Sequence, residues 1–236
     1  MTDDEEARTE SGIAAAPGWA RAVILGGAGL ALLLIGATIG LLIGRSEAPA
    51  EPPAATPGQV DIGFSQDMAV HHLQAVTMGH LAQERSNDPE ISRMGYDIAA
   101  TQQGQVGWMQ GWLALWNAPE QAPGELMTWM SHGGSGHMDG SRSGSHGGSD
   151  AAMPGMATSE EMSKLQSLSG EKFNVYFLQL MLRHHQGGAP MAEYAAEHAN
   201  VPAVRALARS MLESQGAEIM LMKKMLKARG AEPLPF

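Results

Sequence analysis

The sequence predicts an all-α protein, a four-helix bundle made of two repeated helical hairpins with an N-terminal transmembrane helix in front of it. Three observations carry this prediction. One segment recurs at a fixed offset, the apolar residues of both copies follow helical spacing, and the N-terminal region contains a long run without charge. No strand-like alternation of useful length occurs in the repeated region, which argues against a sheet.

The composition limits the possible functions. With 236 residues and 44% hydrophobic content, the chain can build one modest core with tails and linkers. The formal net charge is -10 and no run of Lys or Arg occurs, so we expect no nucleic-acid partner. Cysteine is absent, which excludes disulfides, thiolate metal sites and thiol nucleophiles.

The N-terminal region predicts a membrane anchor. Residues 22–44 carry no charge, lie between Arg21 and Arg45, and would reach about 34 Å as a helix. A cleaved signal peptide is the alternative, but the run is longer than a signal peptide's apolar region. The positive charges before the span outnumber those just after it, which favours a cytoplasmic tail over residues 1–21. We therefore expect a single-pass cell-membrane protein with its main domain on the extracytoplasmic side.

Two further features belong to this region. Gly36, Gly40 and Gly44 recur every four residues and form a small-residue face through which two such helices could make a homodimer; glycine is also common in membrane helices generally. Residues 45–60 are rich in Pro and Ala and predict a semi-rigid stalk. Contact with other proteins of a membrane complex is a further possibility for such an anchored chain.

The domain at residues 61–236 should be helical apart from one loop. Helices are predicted at residues 64–86, 89–116, 159–168, 171–198 and 202–229. Asp88 and Thr158 provide N-caps for two of them. Residues 118–157 are too rich in Gly and Ser to build a core, so we expect a flexible loop there.

The repeat is the most informative feature of the chain. An offset of 113 residues aligns Phe64 with Phe177, and the motif Met-x-x-His-His recurs with it. The alignment continues without a gap through Pro89 and Pro202 into the following helix. Neither hairpin can bury its apolar face alone, so the two should pack together around a pseudo-twofold axis.

Helical spacing places the repeated motif inside the bundle. A metal ion would satisfy four converging imidazoles, each of which otherwise needs both a donor and an acceptor. Buried histidines that only hydrogen-bond and methionines that only fill space are the alternative. The candidate metal ligands are His71, His72, His184, His185, Met68, Met78, Met181 and Met191. Gln102 and Gln215 lie on the apolar faces of the second helices and are candidates to hydrogen-bond the ligand histidines.

The donor set favours copper. Imidazole suits several transition metals, but thioether beside it, without thiolate, favours copper and especially Cu(I). The predicted loop contains further soft donors, which form either a second, weaker capture site or part of a solvated linker. They are His132, His137, Met138, His146, Met153 and Met156.

The tandem motif resembles the domain-of-unknown-function family numbered 305. The resemblance rests on Phe, Met, His-His, Ala or Gly, and Met at matching positions, and it covers nearly all of residues 61–226. It implies a ferritin-like helical bundle, export or membrane anchoring, and a link to copper binding and copper tolerance. The positions are Phe64, Met68, His71, His72, Ala75 and Met78, and Phe177, Met181, His184, His185, Gly188 and Met191.

The sequence thus predicts a membrane-anchored extracytoplasmic metal-binding protein, for copper sequestration, delivery or tolerance. A structural or accessory subunit of a membrane assembly, without metal, is the alternative. A metal-dependent oxidoreductase of the di-iron kind is less favoured, because the Glu-x-x-His spacing of such sites does not occur. No catalytic residue is predicted, and binding is favoured over enzymatic activity.

Overall fold

The computed structural model describes residues 17–46, 55–131 and 153–235. They belong to two compact units, Met1–Ala54 and Ala55–Phe236, which are described separately below. The first unit contains helix α1. The second contains α2 to α6 and one short 3-10 helix at Thr128–Ser131. The helices are α1 (Gly18–Ser46), α2 (Gln59–Arg85), α3 (Pro89–Leu115), α4 (Ser159–Ser167), α5 (Gly170–His198) and α6 (Pro202–Ala228).

Helix α1 covers the predicted anchor at residues 22–44. Within the described parts of the chain it is the one helix long and apolar enough to cross a membrane. Large apolar side chains such as Leu25 and Leu33 are exposed along it. Gly36 and Gly40 have no other part of the described chain against them. Residues 1–16 of the predicted tail at 1–21 and residues 47–54 of the predicted stalk at 45–60 lie outside the described residues.

Local sequence signals fix the ends of the bundle helices. The Asp88 side chain accepts a hydrogen bond from the Glu90 amide at 2.9 Å and caps α3, with Pro89 in the first turn. Thr158 and Glu161 form a reciprocal capping box at the start of α4. Helix α2 begins at Gln59, earlier than the predicted residue 64, because the Asp61 carboxylate accepts from the Gly58 amide and closes an extra turn.

Asp61 also joins the two hairpins. Its buried carboxylate accepts hydrogen bonds from the backbone amides of Asn200 and Val201, at 3.1 and 2.8 Å, where α6 begins. The equivalent residue 113 positions later is Asn174, whose Oδ1 accepts from the Ser86 hydroxyl at 2.7 Å, just before α3. The first helix of each hairpin therefore binds the turn of the other hairpin, as a pseudo-twofold arrangement requires.

The repeat extends beyond the helices. Gln66 on α2 donates to the Pro119 carbonyl at 2.7 Å, and Gln179 on α5 donates to the Glu232 carbonyl at 2.6 Å. Both pairs obey the offset of 113 residues. Each bond ties the segment after a hairpin's second helix to that hairpin's first helix.

Helices α2 and α5 pack against each other in antiparallel directions at the centre, and α3 and α6 pack on their hairpin partners. The buried apolar residues form two clusters. One contains Met68 from before the histidines of α2 and Met191 from after those of α5. The other contains Met78 from after the histidines of α2 and Met181 from before those of α5. The two histidine pairs lie between these clusters and divide the core.

The two described ends of the predicted loop pack on the bundle. The buried Asp67 carboxylate accepts from the Met127 amide and from the Trp129 indole at 2.7 and 2.8 Å. At the other end, Met153 and Ala157 are buried. The predicted flexible segment at 118–157 therefore includes fixed ends. His132, His137, Met138 and His146 lie outside the described residues.

Replacing Asp61 with Ala should weaken the joint between the hairpins. Three backbone amides would lose a charged acceptor, so we expect the free energy of unfolding to fall by about 3 kcal/mol or more. Chemical denaturation measures this. The matched control is Asn174→Ala, which should cost clearly less because Asn174 accepts from one hydroxyl. Equal losses in both variants would contradict the assignment.

Candidate metal centre

Four histidines meet at the crossing of the two central helices. His71 and His72 on α2, and His184 and His185 on α5, are each 0–1% exposed. The rings of His71 and His184 lie closest, with centroids 3.8 Å apart. Within each pair the centroids are 6.4 and 6.3 Å apart. The interior orientation predicted from helical spacing is observed, and His80 on the opposite side of α2 is exposed.

The second histidine of each pair binds the second helix of its own hairpin. His72 Nε2 lies 2.8 Å from Gln105 Oε1, and His185 Nε2 lies 2.6 Å from Glu218 Oε2. Gln105 and Glu218 are equivalent in the repeat, and both bonds span 33 residues. The bond is therefore conserved between the two hairpins while its acceptor changes from an amide to a carboxylate.

The first histidines break the symmetry. His184 Nε2 donates to the His71 carbonyl at 3.0 Å. His71 Nε2 instead donates to the Pro154 carbonyl at 3.2 Å. Pro154 reaches this position because Gly155, with φ of 78°, and Gly187 on α5 allow close backbone contact. The end of the long connection thus completes the environment of His71.

These bonds determine which ring nitrogens carry hydrogen. A carbonyl oxygen only accepts, so Nε2 of His71 and His184 must be protonated, and the same applies to His72, whose Nε2 faces Oε1 of the Gln105 amide. In a neutral ring the lone pair is then on Nδ1. The Nδ1 atoms of His71, His72 and His185 are buried and have no hydrogen-bond partner among the described residues. These atoms are suited to bind a metal ion.

Burial keeps the rings of His71, His72 and His184 neutral. Desolvation lowers the pKa of His71 to about 4, with a smaller contribution from the charge of His185. Desolvation and then His71 lower the pKa of His72 to about 3. Desolvation also places the pKa of His184 well below its ordinary value, and the other three histidines lower it further. Neutral imidazole is the form that binds metals.

The candidate methionines are all fully buried but lie at different distances along the helices. Met68 precedes its histidine pair by one helical turn, about 5 Å of axial rise, and Met181 does the same in α5. Met78 and Met191 follow their pairs by about 10 Å of rise, or two turns. The first two are therefore better placed to share an ion with the histidines of their own helix.

The amides predicted to support the histidines are also buried. Gln102 Oε1 has no partner within the described chain, and Gln215 Oε1 lies near Gly188, where an added Cβ would be 3.5 Å from it. The observed partners of His72 and His185 are Gln105 and Glu218, which the sequence analysis did not select. The sequence feature that could have identified them is their position, 33 residues after the second histidine of each pair.

Within the described residues, no group of three or more His, Asp and Glu side chains is placed to hold a metal, and this includes the four histidines. A carboxylate-rich site for a hard cation is therefore not supported there. A site with three imidazole ligands is not preformed either. Imidazole nitrogens with neighbouring thioethers remain as donors, and Glu218 behind His185 matches the carboxylate–histidine pairing common around bound metals.

The family assignment follows from residues 61–226, which match the model of the family Domain of unknown function (DUF305). The chain belongs to this DUF305 family. The resemblance expected from the tandem motif is confirmed. No curated protein matches the chain.

Solved structures share the fold. A DUF305 protein from Streptomyces coelicolor, named a secreted protein with its crystal structure, is 43% identical to this chain. The TM-score is 0.65, and the match covers 75% of this chain and 98% of that chain. A DUF305 fragment from Deinococcus radiodurans is 30% identical, with a TM-score of 0.58 over 75% and 99%. CopM in its Cu(I)-bound form is 21% identical, with a TM-score of 0.53 over 71% and 96%. At this identity the likeness to CopM shows the fold alone.

Replacing Gly187 with Ala should displace the segment that binds His71. The added Cβ would lie 2.1 Å from the Pro154 carbonyl oxygen, so backbone must move. We expect the free energy of unfolding to fall by about 1–3 kcal/mol, as for overpacked cores. The control is Gly216→Ala on α6, where no described atom lies within 4 Å of the added Cβ. It should be neutral or stabilising by up to about 1 kcal/mol. Denaturation of both variants measures the difference, and an unaffected Gly187→Ala protein would refute the packing.

The stability of the bundle should decrease in acid. Unfolded histidine takes up a proton near its ordinary pKa of 6.5, whereas folded His71 does so at about 4. Between these values the unfolded state binds more protons, so stability falls as pH falls, by up to about 1.4 kcal/mol per pH unit for each such histidine.

Denaturation at a series of pH values measures this slope. The variant His72→Gln removes one buried histidine and should flatten the slope by up to one proton, because folded His72 has a pKa of about 3. The control is His80→Gln, at an exposed position of the same helix. A slope unchanged by the His72 substitution would show that His72 is protonated in the folded bundle.

Proposed function

We propose that the bundle holds Cu(I) between its two hairpins, on the extracytoplasmic face of a membrane to which α1 anchors it. The observation that carries this proposal is the set of buried Nδ1 atoms of His71, His72 and His185, which have no partner in the described chain. No three of the histidines are grouped to hold an ion as the rings stand, so binding would require the rings to turn or thioether sulfur to complete the ligand set. Their Nε2 atoms already donate to fixed acceptors. The rings are thereby oriented with a free donor atom for a metal.

The chemistry of the neighbouring side chains favours copper in its reduced state. Thioether and imidazole select soft ions, and the chain offers no thiolate. Met68 and Met181 would add sulfur from opposite ends of the site, one from each hairpin. The structures of CopM with Cu(I), Cu(II) and Ag are those of a protein with the same fold, and they support the choice of metal to test.

Burial of the candidate site favours sequestration or delivery over catalysis. All four histidines are essentially inaccessible to solvent, so a substrate could not reach an ion held among them without movement of the helices. Copper is therefore the cargo in this proposal. Sequestration of the ion outside the cytoplasm would support copper tolerance.

The location rests on α1 and on a relative. Helix α1 has the length and composition of a single membrane span, and the protein from Streptomyces coelicolor, 43% identical, is described as secreted. Both are consistent with a bundle outside the cytoplasm. The slight excess of positive charge before the span supports a cytoplasmic N-terminus in this proposal.

A structural role without metal is the second candidate. It is favoured because Nε2 of every histidine has a hydrogen-bond acceptor. Buried histidines with one hydrogen bond can serve as spacers between the apolar clusters. The two candidates differ in one respect. Only the metal-binding candidate predicts that copper stabilises the fold through these rings.

A competition titration against a Cu(I) chelator separates them. The bundle at residues 55–236 should bind Cu(I) more tightly than the double variant His71→Ala with His72→Ala. The mirror pair at His184 and His185 should be equally weakened, and the fourfold variant little worse than either pair, because ligands of one ion act as a unit. His80→Ala, at an exposed position, is the control.

Thermal melts of the same proteins complete the experiment. Bound Cu(I) should raise the melting temperature of the unchanged bundle by mass action and leave the histidine variants nearly unaffected. Equal copper affinity in all variants would contradict the proposal and favour the structural role. Two separate losses, one for each pair, would show two independent sites.

A further inference from the structure

Helix α3 has an unusual outer surface in its second half. Residues 98–118 contain no charged side chain, although α3 lies on the outside of the bundle. A helix on a water-exposed surface normally carries charge on its outer face. Its repeat counterpart, residues 211–231 in and just after α6, carries six charged residues and no aromatic one. The charged residues are Glu213, Glu218, Lys223, Lys224, Lys227 and Arg229.

The uncharged surface is also aromatic. Trp108, Trp112, Leu115 and Trp116 follow the spacing of one helix face, and we call them the α3 tryptophan face. Trp108 is 61% exposed and Leu115 is 82% exposed. Trp112 and Trp116 are half-buried, with ring centroids 6.2 Å apart. The repeat equivalent of Trp108 is Leu221, so this face has no aromatic counterpart on the second hairpin.

The α3 tryptophan face lies at the end of the bundle where the chain arrives from α1. Helix α2 begins at Gln59, directly after the stalk. Gln66, in its second turn, donates to the Pro119 carbonyl, just beyond the end of α3. The start of α2 and the end of α3 are therefore neighbours. Residues 47–58 connect α1 to this end and, if extended, reach about 40 Å.

We propose that the α3 tryptophan face binds the headgroup region of the lipid bilayer that α1 crosses. Tryptophan favours this region because its ring is apolar and its N–H can still hydrogen-bond. The short connection keeps the face near the bilayer, so weak intrinsic affinity is sufficient. The absence of charge in residues 98–118 removes the cost of bringing ionised groups to the membrane. This inference rests on the anchoring part of the proposed function and is independent of copper.

Fluorescence quenching of the full chain in lipid nanodiscs tests this proposal without copper. The reporter protein carries Trp19→Phe, which leaves the three tryptophans of the α3 tryptophan face and the buried Trp129. In nanodiscs containing brominated phosphatidylcholine, the tryptophans of the face should lose about half of their emission or more, and added iodide should quench them little, because interfacial rings contact lipid. Trp129 is 5% exposed and serves as an internal check that the bundle is folded.

The matched control moves the reporter to the second hairpin. Trp108→Phe, Trp112→Phe and Trp116→Phe combined with Leu221→Trp, in the Trp19→Phe background, places one indole at the equivalent position of α6. This indole should be quenched by iodide and not by brominated lipid. A third protein keeps Trp19 and replaces the three tryptophans of the face with Phe; its Trp19 reports on the anchor and should be quenched by lipid.

Each contrary result overturns the proposal. If Trp19 is quenched by lipid but the tryptophans of the face are quenched only by iodide, the anchor is inserted and the face is free in solvent. If the tryptophans of the face are shielded from both quenchers, protein covers the face, as in a second copy of the chain. If Trp19 is not quenched by lipid, both the anchoring and the docking are wrong, whereas the copper titration is unaffected.

Discussion

The contact between His71 and His184 is the interaction on which the bundle depends. Their rings lie 3.8 Å apart where α2 crosses α5, and His184 donates to the His71 carbonyl. The crossing fixes the antiparallel direction of the two central helices and separates the apolar core into two clusters. A polar layer in this position would be costly if its donors lacked acceptors. Each histidine therefore has a fixed acceptor for Nε2, and the remaining nitrogen, Nδ1, is the atom proposed to bind the metal.

The same layer shows how a duplicated hairpin can become asymmetric. The second histidines keep equivalent partners, Gln105 and Glu218. The first histidines do not, because the segment around Pro154 reaches only His71. An amide behind one pair and a carboxylate behind the other give the two halves different electrostatics. A site built this way takes its histidines equally from both hairpins, but their surroundings are not symmetric.

Much of the fold could be predicted from the sequence because helix signals are local. Asp88, Thr158 and the apolar spacing gave the helices to within a few residues, and the offset of 113 gave the pairing of the hairpins. Contacts between elements left weaker signals. Asp67 holds Trp129 from a loop whose composition predicts no packing, and Gly187 admits Pro154 through a backbone contact that has no sequence periodicity. Gln105 and Glu218 were missed because the rotation of each second helix decides which amide or carboxylate reaches a ring.

The central claim concerns the nitrogen atoms that face the core, and histidine side-chain ¹⁵N NMR of the bundle measures them directly. Without metal, the account predicts that Nε2 is protonated and Nδ1 is not in His71, His72 and His184. On addition of Cu(I), the Nδ1 resonances of both histidine pairs should shift together and reach their end points at the same metal ratio. Protonated Nδ1 atoms, or resonances that do not respond to Cu(I), would contradict the account.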